Sequence, residues 1–183
     1  MLSKLAEETK NTILTMVKGA GEIGVALQTA VKDNVVSVLK GVGQITTTAT
    51  GVVSEVVQGA IVAASQTGIT LTTATKNVAT GAIKGAFEVG VSTVDATQKV
   101  VTGTIKGAAE VGGDVASVAV ASVEGAIEAA GAIGANTEEA AKVAIMTAVK
   151  AADEIGTEVG QDVRKALLST ASLPKDIVKA VLG

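Results

Sequence analysis

The chain has 183 residues, with 15 basic and 18 acidic side chains, a formal net charge of −3, no Cys, His, Trp or Tyr, and a single Phe. That inventory lacks the imidazole base, the thiol and phenol nucleophiles and the usual zinc ligands, so the chain reads as non-enzymatic and without cofactor or metal. No basic block or aromatic stacking platform is present, which argues against nucleic acid as a partner.

Residues 1–17 read as an amphipathic N-terminal helix. The first ten, Met1-Leu-Ser-Lys-Leu-Ala-Glu-Glu-Thr-Lys, carry acids near the start and lack an apolar core. No secretory signal is read there, and a cytoplasmic position or the surface of an intracellular body is expected.

From residue 18 to 171 the same residue types return every 22 positions. Gly24, Gly68, Gly90, Gly112, Gly134 and Gly156 form one column, broken by Thr46. Leu39, Ile61, Ile83, Ile105, Ile127 and Val149 form a second. Ile23, Ile45, Val89, Val111, Ile133 and Ile155 form a third, broken by Thr67. In the unit beginning at Lys106, apolar or small residues fall at Ala108, Val111, Val115, Ala119, Val123 and Ala126–Ile127. These steps of three and four make two 11-residue halves, and eleven residues over three turns is about 3.67 per turn. Lys and Glu also recur at helical spacing, as in Lys18/Glu22, Lys84/Glu88, Lys106/Glu110 and Lys150/Glu154.

The fold class expected is therefore all-α: long helices on a 22-residue repeat, extended or folded into a few antiparallel segments. One unbroken helix would be about 270 Å long. The folded form would have two to four segments, with breaks near Thr46–Gly51, Gly68, Gly112–Asp114 and Gly134–Thr137. Asp114 and Asn136 or Thr137 are the candidate caps. The alternative is a β-solenoid, because Val, Ile and Thr favour strands and Gly suits its corners. Residues 172–183 close the chain as a short helix, Lys175 to Leu182, with Pro174 at its start.

Glycine inside a helix costs up to ~1 kcal/mol relative to Ala and needs a reason. Gly81/Gly85 and Gly103/Gly107, extended by Gly59/Ala63 and Gly125/Ala129, are small-residue pairs four apart that let two helix backbones approach closely. These six glycines are the candidate helix-packing sites. Ile61, Ile83, Val89, Ile105, Val111 and Ile127 are the candidate apolar stripe.

The stretch Val56–Thr75 is uncharged and long enough for a membrane span, but Gln58, Ser65, Gln66 and Thr67 make it a poor one. The hydrophobic fraction of 48% is mostly Ala, Val and Ile, and the mean hydropathy is +0.49 with only 18% charged residues. Such a chain is expected to hide surface against copies of itself or against lipid.

The segments Lys84-Gly-Ala-Phe-Glu-Val-Gly, Lys106-Gly-Ala-Ala-Glu-Val-Gly and Val118-Ala-Val-Ala-Ser-Val-Glu-Gly-Ala-Ile resemble the 11-residue repeats of synucleins. In period they are also similar to those of perilipins, exchangeable apolipoproteins and late embryogenesis abundant proteins. The resemblance covers roughly residues 18 to 171. It implies disorder in water and an amphipathic helix on a lipid or desiccated surface. The polar face here is rich in Thr, Ser and Gly, with few lysines along its flanks, so neutral rather than anionic lipid fits it.

The function expected is a structural one: self-assembly into a filament, tube, sheath or coat, with the chain's own copies as partner. The alternative is reversible binding to a lipid surface such as a droplet, granule or vesicle.

Overall fold

The computed structural model describes residues 2–43 and 47–183. Ile45 and Thr46 lie outside the described residues. The break expected at Thr46–Gly51 lies partly outside them too, and residues 47–51 are already helical.

The chain is all helical and its repeat is one helix long. Among the described residues there are nine helices: α1 (Lys4–Val17), α2 (Ile23–Gly41), α3 (Thr47–Ala64), α4 (Leu71–Glu88), α5 (Thr93–Glu110), α6 (Val115–Ala132), α7 (Thr137–Ile155), α8 (Thr157–Ser169) and α9 (Lys175–Leu182). That exceeds the two to four segments expected, and there is no strand among the described residues, so the β-solenoid is not the fold. Helices α4, α5 and α6 each take 18 residues, and four-residue turns make up the rest of each 22-residue unit.

The turns explain the glycine column. Gly68, Gly90, Gly112 and Gly134 have φ of 85°, 95°, 66° and 72°, a left-handed conformation that glycine adopts without a Cβ penalty. After three of them a backbone N–H reaches back to close the helix: Val91 to Ala86, Gly113 to Ala108 and Ala135 to Ala130, at 3.0, 2.8 and 2.8 Å. Two residues beyond each glycine sits a capping side chain. Thr70, Ser92, Asp114 and Asn136 accept from the N–H of Thr73, Asp95, Ser117 and Glu139 respectively. Gly24 and Gly156 share the column but not the role. Gly24 lies inside α2, and Gly156 is extended, at φ 174°, between α7 and α8.

Short turns make consecutive helices antiparallel, while from α1 to α5 the most extensive forward contacts join each helix to the one two further on. Gly81 lies against Gln28 and Gly85 against Lys32, so α4 and α2 advance together and run parallel. The same holds for Gly103 against Ser54 and Gly107 against Gln58 in α5 and α3. The molecule is thus two layers of parallel helices, odd-numbered and even-numbered, stacked into a rod.

The core lies between and within these layers and is made of Ala, Val and Ile. Ile61, Ile83 and Ile105 are fully buried and Ile127 is half-buried. Full burial of an isoleucine side chain contributes about 1.5–3 kcal/mol. Neighbouring helices of one chain complete this core, where the sequence alone had pointed to neighbouring molecules. Val89 and Val111 are not on the stripe: they are half-buried residues at the C-caps of α4 and α5, because the helix ends one residue before each. The uncharged stretch Val56–Thr75 is the end of α3, a turn and the start of α4. Helix α6 is the one described helix long and apolar enough to cross a membrane, and half of it is buried against its neighbours.

Candidate self-association surfaces

All six candidate packing glycines sit where two helices of one layer meet. A Cβ on Gly59 or Gly81 would run into the backbone carbonyl of Ala6 or Gln28. At Gly85 it would lie 2.7 Å from the Lys32 carbonyl, and at Gly103 2.5 Å from that of Ser54. At Gly107 it would meet the Ile61 Cβ at 2.7 Å, and at Gly125 the Lys76 carbonyl at 2.9 Å. A real Cβ does not come so close to a backbone atom or to another Cβ, so a larger residue at these positions needs the helices to move apart. The contacts lie within one chain.

Hydroxyls line the helix contacts, both between the layers and within one. Thr104 and Ser122 share a buried hydrogen bond of 2.6 Å between α5 and α6, and Ser122 also donates to the Val118 carbonyl at 2.8 Å. Thr80 donates to the Lys76 carbonyl at 2.8 Å and lies 3.3 Å from that of Gly125. Such bonds to a helix's own carbonyls let threonine be buried without loss. Thr97 is the exception, with a fully buried hydroxyl that has no partner.

Charges stitch the outer surface. Lys32 pairs with Glu88 at 2.8 Å and Lys76 with Glu128 at 3.3 Å, each pair bridging two helices of the even layer. The Lys32 ammonium, by hydrogen bond and charge, holds the Glu88 carboxyl below its ordinary range, and Glu88 in turn raises Lys32. Arg164 grips Asp153 with two bonds of 2.9 and 2.7 Å and lowers its pKa in the same way. Asp114 is lowered by the hydroxyl and the N–H of Ser117, with a smaller part from the N–H of Ala116. No group of three or more acidic side chains is gathered to hold a metal ion among the described residues.

A cleft of about 580 Å³ opens between α7, α8 and α9, walled by Met146, Val149, Lys150, Arg164, Val181 and Leu182. A smaller one, of about 210 Å³, lies between α5 and α7 over Gln98, Thr102, Thr147, Lys150 and Glu154.

The exposed bulky apolar residues are unevenly placed. Met16, Val25 and Val42 belong to α1, α2 and the turn after α2, while Met146, Ile155 and Leu168 belong to α7 and α8. Among the described residues only Phe87 joins them from the middle. Sequence reasoning missed this grouping, although column membership could have revealed it: Met146 and Leu168 stand where the four middle units carry Gln58, Thr80, Thr102 and Glu124, and the first two carry Leu14 and Val36.

No protein-family model matches the chain, and no curated protein is similar to it. Among solved structures, the chain is similar to the crystal structure of the de novo designed helical repeat protein DHR7. The two are 22% identical, the match covers 96% of this chain and 92% of that one, and the TM-score is 0.54. The likeness is one of fold: a stacked helical repeat.

Proposed function

We propose that this is a non-enzymatic structural protein whose copies associate end to end into a filament. The observation that carries the reading is the concentration of exposed bulky apolar side chains at the two ends of the rod. A helical array needs a polar outer face on its terminal units to stay separate in solution. Here Met146 remains 61% exposed and Met16 48% exposed, in the last and first helices of the odd layer's main run. The long sides of the rod carry paired charges and hydroxyls instead, which favours growth along the axis over growth sideways.

Lipid-surface binding is the weaker reading. It would use the apolar faces of α3 to α7, and those faces are buried against each other. Negative-stain imaging and sedimentation of the pure protein, without lipid, test the proposal. Filaments or oligomers that lengthen with concentration are expected, with a helical circular dichroism spectrum that vesicles leave unchanged. Particles that stay at the 17.9 kDa of one chain at every concentration would sink it.

A further inference from the structure

We infer that the copies join head to tail through a copy of the rod's own internal contact, with α7 and α8 of one molecule receiving α1 and α2 of the next. This rests on the end-to-end reading above and gives it a specific joint.

Two adjacent repeat columns carry the inference. The first holds Thr15, Ser37, Gly59, Gly81, Gly103, Gly125, Thr147 and Ser169, each 22 residues from the last. Its glycines face the preceding helix of the same layer, and all four are buried there. Thr15 in α1 and Ser37 in α2 are exposed, since no earlier helix packs on them among the described residues. Both are small, as close approach at this column requires.

The second column holds Leu14, Val36, Gln58, Thr80, Thr102, Glu124, Met146 and Leu168. It faces the following helix of the layer. Gln58 offers its carbonyl beside Gly107, and the Thr80 hydroxyl approaches the Gly125 carbonyl. Thr80 is 1% exposed under α6, whereas Met146 and Leu168 are 61% and 44% exposed. So the giving column is open on both leading helices, at Thr15 and Ser37, and again only at Ser169 in the last turn of α8, while the receiving column is most open at the end of the rod, at Met146 and Leu168. The two are the halves of one contact.

The 580 Å³ cleft marks the vacancy in the odd layer. Helix α9 has 8 residues and α7 has 19. At ~1.5 Å per residue, α9 covers about 12 Å of a helix about 28 Å long. The cleft over Met146, Val149 and Lys150 is continuous with the α5–α7 contact through Lys150, which walls both clefts. Helix α1 runs parallel to α7, so its C-terminal half, from Asn11 to Val17, has the direction and the small exposed residues to lie there. Methionine is a flexible filler for an imperfectly matched contact. Because donor and acceptor faces differ, the joint is heterologous, and each added copy leaves one face of each kind free for the next.

Two substitutions test it in the full chain: Met146→Glu at the receiving face and Thr15→Arg at the giving face. Both sites are exposed and both new residues suit a helix, so the circular dichroism spectrum should match that of the parent. By light scattering across a concentration series, each variant alone should fall to the mass of one chain. Mixed in equal amounts, they retain one good joint per pair and should give twice that mass and nothing larger. Assembly of Met146→Glu at the parent's mass would overturn the joint while leaving end-to-end assembly standing. A dimer formed by one variant alone would overturn it in favour of a symmetric contact between like ends. A parent chain that never assembles would overturn both readings.

Discussion

Helices α4 to α7 and helices α1 to α2 obey the same repeat with different strictness. The inner helices begin at Leu71, Thr93, Val115 and Thr137, in strict steps of 22, and each has a capping side chain. Helix α2 begins after Glu22, which makes no side-chain cap, and α1 ends at Val17. The left-handed turn glycines there are Gly19 and Gly43, off the column used further on. The glycine positions of close approach carry Thr15 and Ser37 instead. The repeat is therefore a rule about contact. A helix stacked between two others, as α3 to α6 are, gives clearance on one side, and a helix whose outer side is open or only partly covered is free to vary, as Thr147 in α7 shows.

The largest effect expected comes from making one substitution at two members of a single column. Gly85→Ala places a Cβ against the Lys32 carbonyl and should lower stability by ~2 kcal/mol or more. Gly41→Ala, in the last turn of α2, meets nothing within 4 Å and should raise it by ~0.5 kcal/mol. Thermal unfolding of the two variants reads both signs, and equal shifts would erase the distinction between inner and outer units.

The caps give the next contrast. Asp114→Ala should cost about 1 kcal/mol, while Glu22→Ser, which supplies the missing cap of α2, should gain up to about 1 kcal/mol. Asp114 also makes α6 sensitive to acid. Its folded pKa is lowered, so its contribution is complete above the unfolded value of about 3.9 and is lost as the pH falls through the folded one. Asp114→Asn keeps the cap and should flatten the melting temperature below about pH 4. An unchanged acid slope would remove Asp114 from the account.

Thr97→Val should stabilise by ~1 kcal/mol, because it removes a buried hydroxyl without a partner. Thr75→Val, one unit earlier, should not, since that hydroxyl donates to the Leu71 carbonyl at 2.7 Å. Denaturant midpoints compare them, and a gain at both positions would mean that the hydroxyls are equivalent. The smallest effect belongs to Glu88→Gln. Its pair with Lys32 is exposed, and the melting temperature should move no more than salt alone moves it.

The helical period, the 22-residue unit and the close-packing glycines were legible in the sequence because each has a spacing that repeats. Gly81 and Gly85 read as a contact pair before any neighbour was known. The number of helices was not legible. Six turns at about 3.67 residues take up 22 residues, so the chain leaves one helix and enters the next in the same phase. Periodicity therefore could not separate a folded array from a single long helix. The column of Thr70, Ser92, Asp114 and Asn136, two residues after the turn glycines, was the signal that could have done so. Val89 and Val111 were placed on the stripe for the same reason, since their phase continues through a turn that phase does not detect. The exposed ends were not legible either, because being terminal is a property of the stack and not of any one unit.

The clearance glycines fall on odd and even helices alike: Gly59 and Gly103 in one layer, Gly81 and Gly125 in the other. A helix suited to one layer is thereby suited to its opposite. The natural increment of this molecule is then a single helix and not a hairpin. Duplicating one 22-residue unit would shift every later helix across to the other layer, where it would find the same clearances waiting. Each such step would lengthen the rod by about half the 8–10 Å between packed helices, which makes the chain a ruler graduated more finely than its own folding unit.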